Sequence, residues 1–381
     1  MDQVVQLEEI RDKKVLVRLD YNVPIEDGVI LNDFRIRQTY NTLNSLLDNN
    51  NKLIIASHLG RPTEGLYDES LSLKPICNHL SSKLNKKIQF IKDINDAIDF
   101  SNHDIAMLEN VRFNIGEKKC DPRLSQTIAS LADIFVFDAF GVSHRSECTT
   151  TGVVTYLETV AGLNIRYEIE TINKLINEQS RPMTIIISGA KVSTKIVLIK
   201  KLLEKCDHMI LGGGILNTFL KAKGYEVGNS LFEEEFVYDA TKILESDFAS
   251  KIIFPSDFSC ETVNGIANVD LSRISTNDTI YDLGTESINE IKDIVRNSVS
   301  VFWNGPLGYV EKEPFNKGTE ELAKVIADHN CFSIVGGGDT LPIIENLKLQ
   351  NRYNCLSTGG GSLLTYLEGG SLPIIDKLNL R

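Results

Sequence analysis

The dipeptide Gly-Lys occurs nowhere in this 381-residue chain. That excludes the loop in which glycine amides and a lysine cradle phosphates ahead of a Ser or Thr. H-E-x-x-H and G-x-S-x-G are missing too, so neither a zinc-dependent hydrolase nor a serine nucleophile elbow has support. The seven cysteines (77, 120, 148, 206, 260, 331 and 355) are scattered, odd in number and never in C-x-x-C spacing. This argues against a zinc site or a disulfide frame and predicts reduced thiols in a cytoplasmic protein. No apolar run reaches the ~18–20 residues that span a bilayer, and the opening "MDQVVQLEEIRDKK" is too acidic and polar for a secretory signal. Positive charge is in short supply: 40 Lys and Arg face 52 Asp and Glu, a net charge of −12. Nucleic acid is therefore an unsuitable partner, although a local basic cleft for a small anion remains open.

What the chain has is length for two domains and a monotonous alternation. Short apolar runs read as strands at 14–20, 52–60, 105–113 and 133–141, then at 183–191, 208–214, 251–258, 301–308, 332–338 and 354–361. Consecutive apolar residues suit strands buried on both faces, as in parallel sheets covered by helices. Amphipathic stretches such as 194–206 and 319–329 read as those helices. The fold class is α/β: two doubly wound, Rossmann-like parallel-sheet domains. The stretch 162–182, a polar helix pattern ending at Ser-Arg-Pro, reads as a hinge helix between them.

Ligands of open α/β sheets bind beyond the carboxyl ends of the strands. In the first half those ends carry Arg18 with Asp20 and Asn22, His58 with Arg61, then Arg112, His144 and Arg145, and Arg35 follows in "NDFRIR". Each arginine alone is well explained by a surface carboxylate. Together they form a cradle for a small, highly anionic substrate, because guanidinium forks match phosphate and carboxylate oxygens. In the second half the ends carry glycine: "SGAK", "LGGG", "NGPLG", "VGGGD" and "TGGG". One triplet alone can be a plain turn, but the set predicts backbone amides presented to anionic phosphates, a nucleotide site. Lys191 and Lys195 add positive charge, and Asp339 offers a carboxylate to Mg²⁺, which favours one or two carboxylates plus phosphate oxygens. Two facing anion sites on two domains point to phosphoryl transfer.

Ten segments in order, "VRLDYNVP" (17–24), "NDFRIR" (32–37), "SHLGRP" (57–62), "LENVRF" (108–113), "DAFGVSHR" (138–145), "GAKVSTK" (189–195), "LGGGILNTFL" (211–220), "WNGPLGYVEKEPFNKGT" (303–319), "VGGGDT" (335–340) and "STGGGSLLTYLEG" (357–369), resemble the phosphoglycerate kinase family over almost the whole length. The resemblance implies an N-terminal phosphoglycerate-binding domain at 1–163 plus a returning tail at 370–381, a linker helix at 164–181, and a nucleotide-binding domain at 182–369. It implies substrate contacts at Asp20, Tyr21, Asn22, Arg35, His58, Leu59, Gly60, Arg61, Arg112 and Arg145, with Arg18 and His144 at outer positions of the basic patch. It implies ATP or ADP, with Mg²⁺ at Asp339, held by Lys191, Lys195, Gly213, Glu311, Gly337, Gly338, Asp339 and Thr340. Arg35, Lys195 and the amides of Gly338 and Gly361 are implied as the catalytic groups. The implied substrates are small molecules, 3-phosphoglycerate and ATP or ADP, and the implied state is a monomer without nucleic acid or membrane partners. Two positions depart from the commonest pattern: Glu147 after "HR", expected to lower the positive potential at the rim, and Thr194 in place of an acid.

The accepting carboxylate is ionised at neutral pH, its reference pKa being about 4, so no general base is required. His58 thus reads either as a hydrogen-bond donor to an anion or as a structural histidine. Competing readings are a phosphotransferase for another acyl acceptor, a non-catalytic nucleotide-binding scaffold and, more distantly, a dehydrogenase.

Overall fold

The computed structural model describes residues 6–177 and 180–380. The chain divides into two compact units, Met1–Glu170 with Gly370–Arg381, and Thr171–Gly369. In the first unit the strands are β1 (Lys14–Leu19), the hairpin β2 (Ile25–Glu26) and β3 (Val29–Ile30), then β4 (Lys52–Ala56), β5 (Ile88–Ile91), β6 (Ile105–Leu108), β7 (Ile134–Asp138) and β8 (Thr159–Ala161). All but the hairpin form one parallel sheet in the order β5-β6-β4-β1-β7-β8. Val15, Val17 and Leu19 of β1 and Leu53 and Ile55 of β4 are buried in one core with Leu43, Leu46 and Ile76 from the covering helices.

The second unit holds β9 (Met183–Ser188), β10 (His208–Gly212), β11 (Ile252–Ile253), β12 (Asp257–Thr262), β13 (Gly265–Asp270), β14 (Thr279–Leu283), β15 (Ser300–Asn304), β16 (Phe332–Gly336) and β17 (Cys355–Leu356). Its parallel sheet runs β11-β10-β9-β15-β16-β17. Counted within the sheet this is the 3-2-1-4-5-6 order of doubly wound dinucleotide folds, with the reversal between β9 and β15. The first sheet departs from that order because its fourth strand, β6, is inserted between β5 and β4, and it reverses between β1 and β7.

The helix Leu163–Asn177 carries the boundary between the units. It is not polar all round: Ile165, Ile169, Ile172 and Leu175 are buried, the three- and four-residue spacing of one helical face. Its start is tied to β7, since the Ile165 N–H donates to Asp138 at 2.7 Å and Thr42 Oγ1 donates to the same carboxylate at 2.5 Å. The expected linker range also takes in residues 178–179, which lie outside the described residues.

Several strand expectations change. The run 251–258 is not one strand: β11 takes two residues in the parallel sheet, and Asp257 opens a separate antiparallel sheet, β13-β12-β14. That sheet escapes the apolar pattern because β13 is almost wholly exposed. β5 and β8 also escape it, being short strands at the two edges of their sheet.

Candidate active site

At the carboxyl edge of the first sheet the expected residues converge on a continuous chain of contacts. Arg35, in the short helix Phe34–Arg37, pairs with Asp20 just beyond β1. Asp20 Oδ1 accepts the Asn22 N–H at 3.2 Å, and Asn22 Oδ1 accepts the Gly60 N–H at 2.9 Å. The Gly60 carbonyl accepts Arg112 Nη1 at 2.9 Å, and Arg112 Nη2 reaches Glu147 Oε1 at 3.1 Å, with Arg145 Nη1 at 3.6 Å from the same oxygen. Gly60 sits at φ +61°, a left-handed turn that glycine enters without steric cost. Burial alone would raise the Asp20 carboxyl, but Arg35 and Arg18 beside it hold it below its ordinary value.

Four expectations are corrected here. Arg18 is not at the outer edge of the patch: it is fully buried, donating through Nε to Thr149 Oγ1 at 3.0 Å, with Nη2 3.3 Å from His58 Nδ1. The Tyr21 ring lies in the core with its hydroxyl 2.9 Å from Thr39 Oγ1, so its side chain does not face the cradle. Burial drives the pKa of His58 well below its ordinary value, and burial together with Arg145 lowers that of His144, so the cradle's charge comes from arginine alone. Glu147 is buried rather than at the rim, because it is drawn in by Arg112. Leu59 is buried as well and meets the site through its carbonyl, which accepts Asn110 Nδ2 at 2.7 Å. Arg61 is exposed.

In the second unit Lys195 lies at the point where the strand order reverses. Its Nζ donates to the Ser188 carbonyl at the end of β9 (2.5 Å) and to Asn304 Oδ1 at the end of β15 (2.6 Å). An ammonium has three donors, so one remains for a ligand. Burial pushes this ammonium down to about 8, with Asp339 pulling the other way. Asp339 is exposed just ahead of the helix Thr340–Asn346 and makes no capping hydrogen bond. Among the described residues no group of three or more metal-ligating side chains is gathered. The single carboxylate beside open backbone nevertheless fits Mg²⁺, a hard cation completed by phosphate oxygens and water.

The glycine triplets separate into two kinds. A Cβ added at Gly338, Gly360 or Gly361 would meet nothing within 4 Å, which leaves the backbone accessible. A Cβ at Gly213 would stand 2.8 Å from the Gly189 carbonyl oxygen, and one at Gly214 would overlap the Ala190 carbonyl. Gly213, expected at the nucleotide, therefore lacks a side chain because two loops pack there. Gly337 adopts φ +119°. Thr340 is buried with Oγ1 unpartnered among the described residues, so this hydroxyl does not point to open solvent. Lys191 and Glu311 are exposed. Thr194 closes its own turn, donating to the Lys191 carbonyl at 2.9 Å.

The residue reading passed over Asn304, Asn110 and Glu117. Asn304 is visible in the sequence as a polar residue ending an apolar strand before glycine. Asn110 donates to the Leu59 and Leu71 carbonyls and accepts the Arg112 N–H, a role no sequence pattern carries.

The phosphoglycerate kinase family profile matches residues 4–370. The chain is 42% identical over 379 residues to the phosphoglycerate kinase of Francisella tularensis subsp. holarctica, covering 97% of this chain and 96% of that one. It is also 42% identical over 373 residues to that of Baumannia cicadellinicola, with the same coverage of 97% and 96%. The solved structure of phosphoglycerate kinase from Coxiella burnetii superposes with a TM-score of 0.87 at 36% identity over 99% of both chains. That from Pyrococcus horikoshii OT3 gives 0.86 at 27% identity over 98% of both. With this agreement across the whole length, the chain belongs to the phosphoglycerate kinase family, the glycolytic kinases that pass a phosphoryl group between ATP and the carboxylate of 3-phosphoglycerate.

Proposed function

We propose that this chain carries out its family's reaction, ATP + 3-phosphoglycerate ⇌ ADP + 1,3-bisphosphoglycerate, with the cradle of Asp20, Asn22, Arg35, Gly60, Arg61, Arg112 and Arg145 holding the phosphoglycerate. His58, neutral and buried, contributes orientation rather than charge. The observation that carries the reading is Lys195, an ammonium fixed by two acceptors at the strand-order reversal, with its remaining donor free for an incoming phosphate.

The attacking group is already a carboxylate, so no residue here moves a proton. Catalysis consists of alignment and charge stabilisation of the transferring group. Lys195 and Arg35 serve its equatorial oxygens, and the amides of Gly338 and Gly361 lie alongside. Glu311 takes the ribose hydroxyls, while Lys191, Gly337 and Thr340 frame the phosphates. Mg²⁺, when bound at Asp339 with the nucleotide, supplies neutralising charge to the phosphate oxygens. Arg35 is tied to Asp20, so engaging the phosphoryl group requires that pair to open or share its donors. Transfer also requires the two ligands to meet, which we assign to hinge closure that excludes water. We read the protein as a cytoplasmic monomer; the seven free thiols are in keeping with a reducing compartment.

The test is turnover of 3-phosphoglycerate with ATP and Mg²⁺, coupled to a reductase that consumes 1,3-bisphosphoglycerate. Lys195→Ala and Arg35→Ala are each expected to lower kcat by roughly a hundredfold or more, the scale of one lost charge-stabilising donor. Parent-like kcat in either variant would remove that residue from the transition state.

A further inference from the structure

Glu147 is a carboxylate buried inside a cradle meant for anions. Its backbone is fixed: its N–H donates to Thr150 Oγ1 at 2.8 Å, and its carbonyl accepts the N–H groups of Thr150, Thr151 and Gly152. That geometry aims the side chain at two arginines. Arg112 Nη2 and Arg145 Nη1 both converge on Oε1, at 3.1 and 3.6 Å, while Oε2 is buried with no hydrogen-bond partner among the described residues. Arg112 Nε is likewise buried and unpartnered among the described residues. A guanidinium and a carboxylate that were built only for each other would use both oxygens in a fork. Here each leaves a buried polar atom unsatisfied, an arrangement that costs stability. The contact holds without being complete. Glu117, the other buried acid nearby, is engaged elsewhere: its Oε1 accepts Thr149 Oγ1 at 2.5 Å, and Thr149 in turn accepts Arg18.

We propose that Glu147 is a resident counter-anion that competes with the anionic substrate for Arg112 and Arg145. This rests on the reading of those two arginines as substrate ligands. Glu147 compensates the buried Arg112 charge. When phosphoglycerate enters, its negative groups share the same two guanidinium groups with a fixed carboxylate, and the repulsion lowers affinity. Glu147 is thus a positioning and specificity residue. It raises KM and keeps small anions such as inorganic phosphate from occupying the cradle.

The test compares the parent with Glu147→Gln and Arg145→Ala. Two quantities are measured: KM and kcat for phosphoglycerate, and the rise in thermal midpoint when inorganic phosphate is added to protein in phosphate-free buffer. Glutamine keeps the shape and one acceptor but removes the charge. KM is expected to fall about three- to tenfold, by more than kcat changes, and phosphate should stabilise the variant more than the parent. An unchanged or higher KM, with equal stabilisation by phosphate, overturns the proposal. Arg145→Ala tests the underlying reading separately: if its KM matches the parent's, the cradle assignment itself is wrong. Should Glu147→Gln not fold, Glu147→Asp draws the charge back by one methylene and is expected to lower KM by a smaller factor. No decrease in KM there would equally overturn the idea.

Discussion

Glu117 illustrates how a single buried side chain can set a pH response. Burial pushes its carboxyl up to about 7, against the pull of Thr149 and Arg18, with Glu147 adding repulsion. The unfolded chain releases this proton near its ordinary value of 4.5. Between those values the native state binds more protons than the unfolded state. The stabilisation is therefore fully present below the unfolded value and is lost as pH rises through about 7. Glu117→Gln cannot titrate. Its stability relative to the parent is expected to improve by about 2 kcal/mol between pH 5.5 and 7.5, read from urea unfolding. A difference between the two proteins that stays flat across that range would mean the carboxyl is not protonated in the native state. Asp20 behaves oppositely, because Arg35 and Arg18 beside it, with the Asn22 N–H, outweigh its burial.

At the scale of elements, glycine serves two purposes that the sequence writes identically. The turn from β10 into the helix Gly213–Ala222 lies directly on the 189–190 loop after β9, the loop that leads to Lys195. An alanine at 214 would drive its methyl into the Ala190 carbonyl. Overpacking of this kind costs roughly 1–3 kcal/mol, so Gly214→Ala is expected to lower the thermal midpoint by several degrees. Gly338→Ala, with nothing within 4 Å of the added carbon, should leave the midpoint near the parent's and act on nucleotide binding instead. Equal midpoints for the two variants would contradict this division.

The whole molecule consists of two units that the chain connects twice, once within the helix Leu163–Asn177 and again where Gly369 meets Gly370. The returning tail is anchored in the first unit by the buried Leu372, Ile374 and Ile375. The closure proposed above would bend the chain at these two crossings. Small-angle scattering reads both claims together. The mass should match one 42.5 kDa chain. The radius of gyration should decrease when phosphoglycerate and a non-hydrolysable ATP analogue are both present, and by less with either alone. An unchanged radius with both ligands would remove closure from the mechanism, and a doubled mass would remove the monomer.

The sequence by itself determined the α/β alternation, because buried parallel strands must be apolar on consecutive residues. It also showed arginine recurring at the strand ends of the first half of an acidic chain, the pattern behind the proposed cradle. The motifs in order carried the family. It did not determine which arginines are enclosed: only packing buries Arg18 and exposes Arg61. Nor did it separate the packing glycines at 213 and 214 from the open ones at 338, 360 and 361, because a missing side chain says nothing about what fills its place. The position of Glu147 was likewise decided only in three dimensions. Its charge is local information, but Arg112, which draws it inward, lies on a different loop, and burial depends on their meeting.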